Sequence, residues 1–418
     1  MASPRIDAWR HYLPHARWFQ NKGQDLTTIA LEPLSWLTTG GHALVRSELA
    51  HVGVGDVEEV YHLLVGYLPV GHGEPSALIG QVDLPDVGLV DMVDAPRSPQ
   101  AMRALLGALS DPATPGMAWR HTPPDPDCNT EVFSGEQSNT TVRLGDTALL
   151  KIFRRLTPGR NREIEVLSAL DSCSITPRLI GTWSTPDSRY DLGLVVARVA
   201  DAHDGWAFAT EAAHSGQSIT DEMTALGAAL LNLHSSLASA FPTSWIDADL
   251  CRIRMLYRLD RACAQVPRLR EARGALTAIL SRPHGLVPVQ TVHGDFHLGQ
   301  ALISPAGWRI IDFEGEPLTS DEDPTAPDSV WRDVAGLLRS LEYAWSTHPD
   351  PTSDQARRWL LDARRAFLSG YGTDTVVPSD LLRAYEVDKT IYEVMYETRN
   401  RPEWTWIPWQ AIDAAIAS

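Results

Sequence analysis

The chain is poor in cysteine and short of positive charge. Its four cysteines, Cys128, Cys173, Cys251 and Cys263, form no Cys-x-x-Cys pair. That spacing excludes a zinc ribbon and reads as reduced thiols in a cytoplasmic protein. Lys and Arg number 36 against 53 Asp and Glu, a formal charge of -17 at pH 7. Such a field repels polyanions, so neither nucleic acid nor an anionic membrane is expected as a partner, and any phosphorylated ligand needs local cations. No apolar run reaches the length of a membrane span, and the opening MASPRIDAWRHYLPHARWF lacks a signal-peptide core. Internal repeats and low-complexity tracts are missing too. What is present is 418 residues with 44% apolar and 21% charged content, the make-up of an ordinary globular protein with room for two or three domains. A monomer is the expectation.

Along the chain, residues 1–105 read as a small separate domain. A helix is expected over Ile6–Leu13, strands over Leu26–Leu34, Ala43–Ala50, Val60–Val70 and Ala77–Val82, and a closing helix over Ser98–Leu109. A Pro- and Asp-rich stretch, 110–130, reads as a linker. Residues 106–200 then show short strands at Glu131–Phe133, Thr140–Leu144 and Ala148–Phe153, a helix at Asn161–Leu170 and a strand at Leu192–Val199. From about Ala202 to the end, 201–418, the pattern turns helical: Thr220–Ser236, Ile253–Val266, Leu269–Leu280, Val330–Trp345, Asp354–Gly370 and Ser379–Arg399.

One window interrupts the helices and carries chemistry. TVHGDFHLGQALISPAGWRIIDFEGEP, residues 291–317, sets Asp295 in a His-Gly-Asp loop, Gln300 five residues on, and Asp312 after the apolar run Trp308–Ile311. An acid to align a hydroxyl, with an amide oxygen and a second acid for Mg²⁺, is the C-terminal half of a protein-kinase-like phosphoryl-transfer site. Asp295 is the expected base and Gln300 and Asp312 the expected metal ligands. Glu314 and Glu316 follow at alternate positions and, in an extended chain, share a side with Asp312. His293 reads as a loop-holding hydrogen-bonder, His297 as a substrate contact, and Asp333 as a brace for the loop or an ordinary helix acid.

The nucleotide half is read further upstream. Phe133–Thr140, with the small and polar Ser134, Gly135, Gln137 and Ser138, lies before the strand LLKIF that carries Lys151. Backbone N–H groups in such a loop approach phosphates closely, although a single glycine makes it a weak signal. A lysine inside an apolar strand is costly to bury without an anion. Glu165 on the next helix is the expected partner, with Glu163 as the runner-up. Arg154 and Arg155 read as surface charges. Arg198–Val199, at the end of a strand, is the expected edge for adenine.

HGDFHLGQ followed by IIDFEGEP closely resembles the actinobacterial maltokinase family, within the wider aminoglycoside-phosphotransferase-like kinases. ALLKIFRRLTPGRNREIE resembles that family's lysine strand and helix, and ARWFQNKG the start of its cap domain. The resemblance implies an ATP- and Mg²⁺-dependent sugar kinase. Its fold would be α+β, a bilobal eukaryotic-protein-kinase-like architecture with an N-terminal α/β cap domain and a mostly helical C-lobe. Where the wider group has Asn, this chain has Gln300, as maltokinases do.

The tail decides the sugar. Glu393 and Glu397 stand four apart on one helix face, their repulsion open to relief by a cation such as the ammonium of glucosamine. Arg401, Trp404 and Trp409 complete the expected sugar site, since indole faces stack on sugars. Relatives of the maltokinases that phosphorylate glucosamine share a short length and an acidic, Trp-rich tail. Glucosamine 6-phosphate is therefore the expected product. Maltose 1-phosphate, aminoglycoside modification and a nucleotide-binding pseudokinase are the alternatives.

Overall fold

The computed structural model describes residues 4–38, 40–41, 43–55, 57–85, 87–111, 113–133, 138–315, 326–373 and 379–417. The chain divides into two compact units, residues 1–171 with 177–200, and residues 172–176 with 201–418.

The first unit contains two antiparallel sheets. After helix α1 (Pro4–Tyr12) come β1 (Leu26–Trp36), β2 (Leu44–Val54), β3 (Val57–Pro69), β4 (Leu78–Leu84) and β5 (Gly88–Asp94), in the order β1-β2-β3-β5-β4, and then α2 (Pro99–Leu109). Trp9, Phe19, Tyr61, Leu63, Val65 and Met92 form part of its core. The strand β5 was not expected. Its last five residues are all buried, so it lacks the alternation that marks a half-exposed strand. The helix α2 starts where Ser98 accepts a hydrogen bond from Ala101 N and Pro stands at the first helical position, a standard start signal.

The second sheet uses β6 (Met117–Trp119), β7 (Thr130–Val132), β8 (Thr140–Leu144) and β9 (Ala148–Ile152). After β10 (Arg155–Leu156) and α3 (Arg162–Ala169) come β11 (Leu179–Ser184), another uniformly buried strand that was missed, and β12 (Asp191–Ala197). The order is β6-β11-β12-β9-β8-β7, so the lysine strand β9 is interior. The chain then crosses between sheets, because β10 pairs with β3 through Arg155↔Tyr61.

Arg154, expected at the surface, instead joins these sheets, whereas Arg155 is exposed as expected. Arg154 is fully buried. It donates to Asp94 Oδ1 at 2.9 Å and Thr140 Oγ1 at 2.8 Å, and its guanidinium lies 4.5 Å from the Trp18 ring centre. Arg155 pairs with Glu59 at 2.8 Å. A buried guanidinium is tolerated when its donors find acceptors, and Arg154 finds them on both sheets, at Asp94 and at Thr140.

The second unit is mostly helical. It runs β13 (His203–Asp204), α4 (Gly205–Ser215), α5 (Thr220–Ala240), β14 (Ser244–Asp247), α6 (Ala248–Gln265), α7 (Pro267–Leu280), β15 (Leu286–Val289), β16 (Ala301–Ser304) and β17 (Gly307–Ile310). It ends with α8 (Trp331–Ser346), α9 (Asp354–Gly370), α10 (Asp380–Asn400) and α11 (Trp406–Ala417). Among the described residues, no helix is long and apolar enough to cross a membrane. Two of these helices were not expected. Asp204 caps α4 by accepting from Ala207 N, and Gly216 ends it at φ +70. The helix α11 keeps Pro408 in its first turn, where the missing N–H costs nothing.

Candidate active site

The His-Gly-Asp loop lies in the second unit and is held by α8. The carboxylate of Asp333 is fully buried and accepts from His293 N at 2.7 Å, Gly294 N at 2.8 Å and His234 Nε2 at 2.8 Å. Asp333 therefore braces the loop. Burial pushes its pKa up, but the His234 hydrogen bond, the nearby imidazoles and the backbone donors leave it below the usual carboxylate value. α8 comes this close because Gly336 has no side chain: a Cβ there would sit 2.4 Å from Phe296 O. His293 is buried and donates from Nε2 to Ile311 O at 2.9 Å. It ties the loop to the residue before Asp312.

A hairpin brings the two expected metal ligands together. β16 and β17 pair through Ala301↔Ile310 and turn at Ser304–Gly307, with Gly307 at φ +92. This register returns the chain, so Ile311 N donates to Gln300 O at 3.0 Å and Gln300 Nε2 to Asp312 Oδ2 at 2.9 Å. Asp312 itself sits at φ +67, a left-handed conformation that is strained for a residue other than Gly and often found at functional sites. Glu314 follows, half-buried; Glu316 lies outside the described residues.

Asp295 has a partner that sequence reading missed. Lys389 on α10 donates to Asp295 Oδ1 at 3.2 Å. His297 Nε2 stands 4.0 Å from Oδ2, too far for a hydrogen bond, while its Nδ1 accepts from Gly299 N at 3.1 Å. Burial pushes the Asp295 carboxyl up, yet the Lys389 charge, with His297 and His293 behind it, holds it below the usual range. His297 is itself shifted down, chiefly by burial. Only the Tyr-Glu-Val-Asp-Lys run of α10 hinted at this lysine, and nothing local linked it to a loop 94 residues away.

In the first unit, Lys151 pairs with Glu163 Oε2 at 2.7 Å, not with Glu165. Helical phase is the reason. Asn161 caps α3 by accepting from Glu163 N, which fixes the start of the helix. Glu163 and Leu167, four apart, then face inward, whereas Glu165 is exposed. Lys151 is on the opposite strand face from buried Leu150 and Ile152. The Arg198 N–H donates to Thr147 O at 2.8 Å, so it is already engaged within the sheet. Val199, half-buried, continues from there. Ser138 is exposed. Ser134 and Gln137 lie outside the described residues.

The acidic tail is largely neutralised from within. Glu393 is bound by Arg339 at 2.6 and 3.0 Å. Glu397, almost wholly buried, accepts from Tyr343 Oη at 3.0 Å and from Arg401 at 2.6 and 2.9 Å. The cations that relieve their mutual repulsion are thus arginines of this chain, a correction to the expected ammonium. Trp404 stacks on Tyr343 with ring centres 6.1 Å apart, and Arg401 lies 5.2 Å from its centre. Trp409 packs against Arg268 at 3.9 Å.

Known proteins resemble this chain over most of its length. A maltokinase N-terminal cap domain model matches residues 12–97. A glucosamine kinase from Streptacidiphilus jiangxiensis is 27% identical over 339 residues, covering 70% of this chain and 77% of that protein. A glucosamine kinase from Mycolicibacterium smegmatis is 28% identical over 312 residues, covering 67% and 78%. The solved structure of a glucosamine kinase in complex with glucosamine, ADP and inorganic phosphate has a TM-score of 0.63 at 22% identity, over 97% of this chain and 98% of that one. The shared α+β fold, with its cap, is that of the protein-kinase-like phosphotransferases. The phosphotransferase enzyme family model spans residues 129–368, more than half of the sequence, and takes in Lys151, Glu163, Asp295, Gln300 and Asp312: the chain belongs to that family.

Proposed function

We propose that the protein is an ATP- and Mg²⁺-dependent kinase that phosphorylates glucosamine at O6, working as a monomer in the cytoplasm. The observation that carries this reading is Asp295 Oδ2. It belongs to a carboxylate kept below its usual pKa, in a loop braced by Asp333, and receives no hydrogen bond among the described residues. Such an oxygen aligns an acceptor hydroxyl and takes its proton late in transfer, when the oxygen has become acidic.

Gln300 and Asp312 supply the hard oxygens that Mg²⁺ favours, and the strained backbone of Asp312 holds the pair in register. When bound, the metal neutralises charge on the phosphates. Lys151, oriented by Glu163, is suited to nucleotide phosphate, with Ser138 assigned to the phosphates and Val199 to the adenine edge. His297, Glu314, Arg401, Trp404 and Trp409 are the groups we assign to the sugar. Glu393 and Glu397 act on it through Arg339, Tyr343 and Arg401. Two curated relatives are glucosamine kinases, which supports the amino sugar. The maltokinase cap match favours a second reading, maltose phosphorylated at O1.

Purified protein given Mg-ATP with glucosamine, maltose, glucose and an aminoglycoside separates these. ADP release is expected to show kcat/KM for glucosamine at least about tenfold above the others, since a charge-assisted contact contributes roughly 1.5–3 kcal/mol. NMR of the product should place the phosphate on O6. A preference for maltose transfers the assignment to the second reading.

A further inference from the structure

We infer that Lys389 is a positioning residue for phosphoryl transfer: its ammonium holds Oδ1 of Asp295 so that Oδ2 alone is presented to the acceptor hydroxyl. The inference rests on the kinase reading of the site. A carboxylate on a short side chain turns freely about its terminal bond, so a base needs one oxygen tethered if the other is to be aimed. The two oxygens of Asp295 differ in just this way. Oδ1 takes the Lys389 ammonium at 3.2 Å, whereas Oδ2 has His297 Nε2 at 4.0 Å and no hydrogen-bond donor among the described residues.

Lys389 is itself anchored on both sides. The preceding residue, Asp388, is gripped by Arg258 through two hydrogen bonds of 3.0 and 2.7 Å. One turn later Glu393 is gripped by the buried Arg339. α10 therefore cannot slide without breaking one of these pairs. The lysine stem is further confined by the Tyr392 ring, whose centre lies 5.0 Å from Nζ. The lysine side chain is about a quarter exposed.

In the transfer step the acceptor oxygen forms a bond to the γ-phosphorus. The bond from that phosphorus to the bridging oxygen of ADP breaks, with its electron pair leaving on ADP. The acceptor proton passes to Asp295 Oδ2. Oδ1 stays on Lys389 throughout, so the cation also offsets negative charge gathering at the reacting oxygens.

The test uses the full chain, Mg-ATP and whichever sugar of the panel the wild type phosphorylates. K389M is expected to lower kcat about 100-fold while KM for sugar and for ATP moves less than about threefold and the melting temperature holds. K389R, which restores a cation able to donate to Oδ1, is expected to recover at least about tenfold of that loss. A K389M kcat within about threefold of wild type overturns the inference, as does a loss confined to KM or an arginine variant no better than methionine. Should K389M fail to fold, K389Q takes its place under the same criteria. If the wild type phosphorylates no sugar, the sugar-kinase reading has failed separately. The slow hydrolysis of Mg-ATP, with water in the hydroxyl's place, then serves as the reaction, and an unchanged K389M rate still rejects the role.

Discussion

Two ion pairs, one in each unit, use the same chemistry to opposite ends. In the first unit, Arg154 and Asp94 are both almost completely buried, and both carboxylate oxygens are occupied: Oδ1 by Arg154 at 2.9 Å, Oδ2 by Tyr12 Oη at 3.2 Å. In the second, Lys389 occupies one oxygen of Asp295 and the other has no hydrogen-bond donor among the described residues. A buried carboxylate with a donor on each oxygen is a fastener, since moving either partner exposes an uncompensated charge. A carboxylate with one oxygen unassigned has been desolvated and aimed but not used up, and that is the state a base requires. The count of donors on each oxygen, more than burial or pairing, distinguishes the structural acid from the reactive one.

The contrast is broken most severely at the reactive acid. Asp295→Asn should lower kcat by about a thousandfold, within the range for a lost general base, while calorimetry still finds ATP bound and the melting temperature stays close to wild type. Near-normal turnover in that variant would mean Asp295 is a fastener like Asp94.

Next comes the fastener itself. Arg154→Leu strands Asp94 in the core of the first unit, and urea unfolding is expected to show a loss of about 3–5 kcal/mol. Replacing both members, Arg154→Leu with Asp94→Asn, should restore a substantial part of it. A single variant as stable as wild type would show that the cap sheet and the lysine strand are held together by something other than this pair.

The smallest effect concerns pH. His62 sits against the same junction, fully buried, donating from Nδ1 to Phe153 O at 3.2 Å and accepting at Nε2 from Ser47 at 2.9 Å. Burial, with Arg154 adding to it, lowers its pKa from 6.5 to about 3. Between those values the unfolded chain binds the proton and the folded one does not. Stability therefore rises with pH in this window and erodes as pH falls from 6.5 toward 3, by up to about 1.4 kcal/mol per unit. His62→Gln should flatten the dependence when urea midpoints are compared between pH 6 and pH 4. An unchanged slope would place the acid sensitivity elsewhere.

Legibility followed contact range. The order of Asp295, Gln300 and Asp312 was readable because a hairpin closes the gap between them, and hairpin pairing depends on local turn chemistry and strand alternation. Lys151 was readable because an apolar strand seldom carries an unpaired lysine. The choice between Glu163 and Glu165 turned on where α3 begins, and a shift of two residues rotates a side chain more than halfway round a helix. The role of Glu393 was misread because its neutralising partner, Arg339, lies 54 residues away on α8, and Glu397, although its arginine Arg401 is only four residues on, is also bound from that distance by Tyr343 Oη. The uniformly buried strands β5 and β11 were missed because burial on both faces removes the periodic signal.

By itself the sequence determined the candidate residues of the His-Gly-Asp segment, the lysine strand and the sequence of elements that carry them, since each follows from residues close together in the chain. Only the tertiary structure decided which carboxylates are spent on the chain's own cations and which oxygen of Asp295 has no donor among the described residues. Those outcomes depend on side chains from distant helices meeting in space, and no local periodicity or propensity encodes which donor reaches which lone pair.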